Sequence, residues 1–260
     1  MKTTTEKLPV ADRTPAWHCR LPLERQDAGP LFAPIANRSA FTLIELLVVI
    51  AVMAILAGFT LTVIGQIKKT EYIKSASGEL GQIQSALEDY KNQYGSYPPS
   101  NPNLSPLVNT LYYELSGVTL NAANQTYTTL DGACSISQSA YGNAFRAGSP
   151  PTTIDGIINC TQGAGDEQKS ARNFLVGLKA NRLGTSSTTG QNITNLITAM
   201  RGPDGTYKPL GVQDVNPFRY AYPGTNNPSS YDLWIQLVIN GKTNLICNWT
   251  KQVIVNSPLP

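Results

Sequence analysis

The sequence predicts an α+β chain in which a long N-terminal α-helix packs on a C-terminal antiparallel β-sheet, with a large insertion between them. Three observations carry this prediction. Residues 41–64 form a nearly uncharged apolar run, and residues 70–94 continue it with an apolar side chain every three or four positions. The last fifty or so residues contain β-rich runs joined by strong turn signals.

The apolar run is long enough to cross a membrane. It contains one charge, Glu45, and no ionisable side chain lies between Leu46 and Ile67. As a helix, that stretch is roughly 30 Å long, which matches the thickness of a hydrocarbon core. Basic residues ahead of a span, here Arg38, keep that end in the cytoplasm. We therefore expect residues 41–67 to form a single membrane helix, with the C-terminal part exported.

Glu45 is the unusual residue of this run. A carboxylate in a membrane helix costs roughly 2–3 kcal/mol, so it requires a partner or a role. One interpretation is that Glu45 lies at the membrane interface and reaches water. A second interpretation comes from its neighbours, because Ala40 and Phe41 precede the segment Thr-Leu-Ile-Glu-Leu-Leu that ends at Leu47.

Residues 40–47 resemble the type IV prepilin family, which includes the pseudopilins of type II secretion. In that family a membrane peptidase cuts before the Phe and methylates the new amino group, and the glutamate acts in filament assembly. The resemblance implies processing between Ala40 and Phe41, and assembly through Phe41 and Glu45. An ammonium among apolar helices needs a counter-ion, which the glutamate of a neighbouring subunit can supply. Ala40 replaces the usual Gly but keeps a small residue at the cut.

Residues 1–40 are then a cleaved leader. They contain six basic and four acidic residues with little apolar periodicity, so they bury too little surface to fold. They also lack the apolar core of an ordinary secretory signal. The single histidine, His18, lies in this leader. The mature chain therefore has no histidine for a Ser-His-Asp or Cys-His site.

The amphipathic residues 68–97 are predicted to be the exported half of the same helix. A coiled-coil seam is the alternative, but the stripe is short and follows the apolar run without a break. Gly95 is placed to cap the helix, and Pro98 and Pro99 prevent its continuation. The Tyr-rich end of this helix, residues 90–99, is similar to that of major pseudopilins. The apolar stripe consists of Ile73, Ala76, Leu80, Ile83, Leu87, Tyr90 and Tyr94.

Residues 98–210 carry the weakest pattern and look like an insertion, which in exported proteins usually lies on the surface and carries specificity. Cys134 and Cys160 are candidates for a disulfide in an oxidising compartment. Cys247, in a predicted strand, is interpreted as a buried apolar residue, although pairing with either of the others stays open. The predicted elements are helices at 107–115, 166–182 and 193–200, a strand at 126–136 and a loop at 184–190.

Residues 211–260 are predicted to form the C-terminal sheet. Asn240-Gly241 is a strong type I′ hairpin signal between two of its strands. The amino-acid sequence of these strands, including Asn216–Tyr220 and Cys247–Trp249, is similar to that of the C-terminal sheet of major pseudopilins. The predicted strands are 218–222, 231–239, 243–249 and 252–255.

That resemblance also implies a calcium site before the final Asn-Trp. Calcium prefers six to eight oxygen ligands, several of them carboxylates. Here Asp232 is the only nearby acid, and Lys242 lies where ligands are needed. We therefore expect the site to be lost, with Asp232 as its weak remnant, and we predict no metal and no cofactor.

The resemblance implies a structural, non-enzymatic subunit of a type II secretion pseudopilus. The alternatives are a type IV pilin of an extracellular pilus, acting in adhesion, motility or DNA uptake, and a membrane-anchored periplasmic binding protein. The implied location is the bacterial inner membrane, followed by a periplasmic filament. The implied partners are further copies of the chain in a helical filament, minor pseudopilins, prepilin peptidase, the inner-membrane assembly platform and, before assembly, membrane lipid. No basic patch suggests nucleic acid.

Overall fold

The fold is described from a computed structural model, which covers residues 41–101, 105–145, 156–161, 170–199 and 207–258. Within the first of these ranges, the side chains of residues 60–66 are not described. The predicted leader, 1–40, lies outside the described residues. By compactness the chain divides into two units, Met1–Val52 and Met53–Pro260.

In chain order the helices are α1 (Leu43–Tyr94), α2 (Leu111–Ser116) and α3 (Gln138–Ala144), with a 3₁₀ turn at Ala180–Arg182. The strands are β1 (Val118–Asn121), β2 (Thr126–Thr129), β3 (Ser135–Ser137), β4 (Cys160–Thr161), β5 (Leu183–Thr188), β6 (Gln191–Leu196), β7 (Arg219–Ala221), β8 (Asp232–Ile239), β9 (Lys242–Cys247) and β10 (Ile254–Val255).

Helix α1 is one continuous helix of 52 residues, as predicted. Gly95 ends it with a φ of +81°, and its N–H donates to the carbonyl of Lys91 at 2.7 Å. Glycine adopts this left-handed conformation without strain, so the predicted C-cap is confirmed. Among the described side chains, no helix is both long and apolar enough to cross a membrane.

The amphipathic stripe of α1 is buried inside its own domain. Leu80, Ile83 and Leu87 belong to the same core cluster as Leu233 and Ile235 of strand β8. Side chains on one face of a strand alternate with those on the other, and this face of β8 is the one that lies in the core. The amphipathic half of α1 therefore packs against the C-terminal sheet, and the coiled-coil alternative is wrong.

The C-terminal sheet is antiparallel, with strand order β10-β9-β8-β7. Ile239 pairs with Lys242 across the β8–β9 turn. The two turn residues, Asn240 and Gly241, have φ angles of +53° and +68°. Positive φ at both positions defines a type I′ turn, so the predicted hairpin is confirmed.

The middle of the chain differs most from the predictions. Residues 126–136 form a hairpin of β2 and β3 rather than one strand, because Asp131-Gly132 turns the chain with Gly132 at a φ of +70°. Strands β1–β4 form a second sheet, ordered β3-β2-β1-β4, in which β1 and β4 are parallel. Helix α3 was not predicted. Ser137 caps it by accepting from the N–H of Ala140 at 3.1 Å.

The predicted loop at 184–190 and the predicted helix at 193–200 are also wrong over the described residues, because residues 183–196 form the β5–β6 hairpin. Residue 200 lies outside the described residues. The apolar residues Ile193, Leu196 and Ile197 have helical spacing, but their neighbours are β-branched and polar residues that favour strands. Thr189 and Gly190 have φ angles of +50° and +74° and make the turn. Pairing with β5 therefore overrides the local apolar spacing.

The predicted helix at 166–182 is not present over 170–182, apart from the 3₁₀ turn, and residues 166–169 lie outside the described residues. Its backbone donors are used elsewhere. Arg172 N donates to Asn159 Oδ1 at 2.8 Å, and Phe174 N donates to the carbonyl of Leu115 at 2.8 Å. Because these N–H groups bond to distant partners, they cannot form a helical ladder.

Candidate functional site

The start of α1 is closed by a reciprocal capping box between Thr42 and Glu45. The backbone N–H of Glu45 donates to Thr42 Oγ1 at 3.3 Å, and the backbone N–H of Thr42 donates to Glu45 Oε2 at 2.8 Å. The Thr42 hydroxyl also donates to the same carboxylate oxygen at 2.8 Å. A helix leaves its first N–H groups without intrahelical partners, and this arrangement satisfies two donors at once.

Only one carboxylate oxygen of Glu45 takes part in the box. All three hydrogen bonds involve Thr42, and within the described chain Oε1 accepts none. Glu45 is exposed. The capping box thus holds the carboxylate at the helix start while leaving one oxygen open to a cation from another molecule.

The apolar surface that follows the box has no cover from the described chain. Large apolar side chains from Phe41 to Phe59 are between 49% and 81% exposed. Val49 lies at the lower limit of this range and Leu43 at the upper limit. A contiguous apolar surface of this kind marks a site of contact with membrane or protein, because each Å² covered contributes about 25 cal/mol. Phe41 is the first described residue, and Ala40, its predicted cleavage partner, lies outside the described residues.

The predicted disulfide between Cys134 and Cys160 is not formed. Cys134 pairs with Thr129, Thr129 with Val118, and Val118 with Cys160. The two cysteines are therefore three strand spacings apart, roughly 14 Å. A disulfide requires Cα atoms within about 7 Å, so this arrangement excludes the bond.

Each cysteine has its own surroundings. Thr194 Oγ1 donates to Cys134 Sγ at 3.3 Å, and Cys160 Sγ donates to the carbonyl of Thr161 at 3.6 Å. Cys247 is buried in β9, in the place of an apolar strand residue. Burial raises the pKa of the Cys247 thiol, which keeps it in the neutral form.

Asp232 is buried and holds the turn before β8. Its carboxylate accepts from the backbone N–H of Asn226 at 2.8 Å, from the Asn226 amide at 3.0 Å and from the backbone N–H of Asn227 at 3.0 Å. A Cβ on Gly224 would lie 2.5 Å from Asp232 Oδ1. The residue interpreted as a calcium remnant thus has protein donors around it. Within the described ranges, no three His, Cys, Asp or Glu side chains are placed to hold a metal.

Sequence reasoning missed Glu114, a fully buried carboxylate in α2. It accepts from Tyr90 OH at 2.9 Å, from Ile158 N at 3.0 Å and from Asn159 N at 3.1 Å. Burial raises the pKa of Glu114, and the three donors oppose that rise. This cluster connects α1 to α2 and to the segment before β4. A single acid in Tyr-Tyr-Glu-Leu-Ser gave no signal of it.

A second missed contact joins α1 to the β5–β6 hairpin. Arg182 Nε lies 3.7 Å from Glu79 Oε2, and both side chains are buried. Arg182 Nη1 donates to Gln82 Oε1 at 3.1 Å, and Ala199 N donates to both carboxylate oxygens of Glu79 at 3.2 Å. The partners are about 100 residues apart in sequence, so no local pattern predicts them. Both clusters hold the fold together around the amphipathic half of α1.

The comparisons with known proteins agree with the N-terminal geometry. Residues 35–61 match the family model of the prokaryotic N-terminal methylation motif. No curated protein and no solved structure matches the chain. The matched segment contains the capping box and the exposed apolar surface from Phe41 to Phe59. This chain therefore carries the N-terminal methylation motif of type IV prepilin-like proteins.

Proposed function

We propose that this chain is a structural subunit of a type II secretion pseudopilus, processed by prepilin peptidase and assembled through its N-terminal helix. The observation that carries the proposal is the methylation motif, in which Glu45 is held at the helix start with one carboxylate oxygen open. The uncovered apolar surface beyond it needs a second molecule, first membrane lipid and then other subunits.

In this proposal, removal of residues 1–40 creates an ammonium group at Phe41. Glu45 Oε1 of a neighbouring copy neutralises that charge, while Thr42 keeps the carboxylate in place. A charge pair among apolar helices is stable only when both partners are present, so the pair fixes the register between subunits. The apolar side chains between Phe41 and Phe59 then cover one another in the filament core.

The exported domain forms the filament surface in this proposal. Similarity of residues 216–220 and 247–249 to the C-terminal strands of major pseudopilins supports a pseudopilus rather than an extracellular pilus. The implied location is the inner membrane, with the N-terminus cytoplasmic, and then a periplasmic filament. Minor pseudopilins and the inner-membrane assembly platform are the further partners, and no catalytic role is proposed.

Mass spectrometry of the mature N-terminus tests the processing step. Co-expression with a prepilin peptidase should yield a chain that begins at a methylated Phe41. A chain that keeps its leader under those conditions contradicts the proposal. Replacing Ala40 with Gly should preserve or speed the cleavage, and replacing it with a bulky Leu should block it.

A filament assay tests the assembly step. Glu45→Ala should abolish cross-linked oligomers in membranes, whereas Glu71→Ala, on the exposed face of α1, should leave them unchanged. Filaments that stay periplasmic and a secretion defect on deletion support the pseudopilus. Surface filaments with normal secretion would instead indicate a type IV pilin. A strictly monomeric protein indifferent to Glu45→Ala would indicate an anchored binding protein.

A further inference from the structure

A cleft of about 510 Å³ lies between α1 and the segment that follows β9. Ser77 and Leu80 form its helix side, and Trp249, Lys251 and Gln252 are on the opposite side. Its volume is within the range of small-molecule sites. Nothing in the proposed assembly mechanism uses this cleft, which lies in the exported domain.

Trp249 is the large aromatic side chain of the cleft, and its position is fixed. Its ring meets that of Trp234 edge to face, with centroids 5.7 Å apart. The preceding residue, Asn248, accepts from Leu233 N at 3.0 Å and donates to the carbonyl of Tyr231 at 2.9 Å. These bonds attach the turn to β8, and the edge-to-face contact with Trp234 orients the indole.

Trp249 is nevertheless only half-buried, and its indole N–H donates to no group in the described chain. A buried indole usually finds a hydrogen-bond partner, and a half-exposed one offers both an apolar face and a polar edge. Ser77, Lys251 and Gln252 are exposed and add hydroxyl, ammonium and amide groups around it. Among the described residues lining the cleft, Lys251 is the only charged one.

We propose that this cleft binds a hexopyranose unit of a glycan, with the sugar stacked on Trp249. The C–H face of a pyranose ring is apolar while its rim carries hydroxyl groups, which matches an aromatic plane surrounded by polar side chains. The absence of a carboxylate from the lining and the presence of Lys251 favour a neutral or anionic sugar over a cationic one. This inference rests on the exported domain alone and not on filament assembly.

Titration calorimetry on the purified full chain tests the proposal, in a detergent that has no sugar headgroup. The probes are a neutral tetramer of β-1,4-linked N-acetylglucosamine and the acidic disaccharide of N-acetylglucosamine and N-acetylmuramic acid. The indole N–H signal of Trp249, assigned from the Trp249→Phe variant, should shift on binding. Trp249→Ala should lower the binding affinity for both probes about tenfold, and Trp249→Phe should retain most of that affinity.

The control variants separate the roles of ring and charge. Lys251→Ala should weaken the binding of the acidic disaccharide and leave that of the neutral tetramer unchanged. Lys179→Ala, in a different cleft beside Glu79 and Arg182, should change neither probe. Absence of heat and of an indole shift at millimolar sugar overturns the proposal. Equal affinity in Trp249→Ala, with unchanged circular dichroism and Tm, also overturns it, as does equal binding of an acidic peptide of similar size.

Discussion

The two halves of α1 both carry apolar side chains, but these side chains have opposite surroundings. Between Phe41 and Phe59, large apolar side chains are exposed and no other described element covers them. Between Ala76 and Tyr90, the apolar stripe is buried in the domain core, and Tyr90 also donates to Glu114. The first half therefore leaves its apolar surface uncovered by the described chain, and the second half stabilises its own domain.

The largest expected effect on stability separates the two halves directly. Leu87→Ala removes a fully buried side chain and should lower the free energy of unfolding of the domain by about 2–5 kcal/mol. Leu47→Ala removes the same atoms from a position that is 54% exposed, so it should leave that free energy unchanged. Urea unfolding followed by circular dichroism measures both. Similar losses in the two variants would contradict the comparison.

Gly224→Ala tests the turn that Asp232 holds. The new Cβ would lie 2.5 Å from Asp232 Oδ1 and 2.9 Å from the carbonyl oxygen of Asn227, which is closer than van der Waals contact allows, so we expect a loss of roughly 1–3 kcal/mol. Gly132→Ala is not a neutral control because that glycine has a positive φ, whereas Gly81→Ala on α1 meets no atom within 4 Å. Gly81→Ala should be neutral or stabilising. Equal Tm values for wild type and Gly224→Ala would show that the turn relaxes freely.

Glu114 gives the buried half a pH dependence. Because its pKa in the fold is raised above the ordinary value of 4.5, the folded state binds the proton more tightly than the unfolded state. The contribution of Glu114 to the free energy of unfolding is complete at pH values below that ordinary pKa, and it is lost as the pH rises through the pKa of the folded state. Glu114→Gln should remove the part of the pH dependence of the free energy of unfolding that comes from Glu114. Parallel stability–pH curves for the two proteins would show that Glu114 does not titrate differently on folding.

The smallest expected effect concerns the exposed half. Thr42→Ala removes the capping hydroxyl and should destabilise the first turn of α1 by about 1 kcal/mol, with no change in the Tm of the domain. Thr42→Ser keeps the hydroxyl and serves as the matched control. Hydrogen exchange at the first amides of α1 measures the difference. A change in domain Tm would show that the cap acts beyond the first turn.

Part of the candidate site was readable from the sequence because it is local. The motif around Phe41 and Glu45 occupies a few consecutive residues, and its role was predicted by resemblance. The capping box is also encoded there, as Thr42 followed three residues later by Glu45. Glu114 and its donors could not be predicted, since its partners are up to 45 residues away.

The sequence by itself determined the long helix, its glycine cap and the Asn240-Gly241 hairpin, because periodicity, caps and turn conformations act over a few residues. Only the tertiary structure decided that residues 183–196 form a hairpin, and that Cys134, just before β3, and Cys160, in β4, lie at opposite edges of one sheet. Strand pairing joins distant segments whose local preferences are weak. Burial and backbone hydrogen bonding across the sheet then outweigh those preferences.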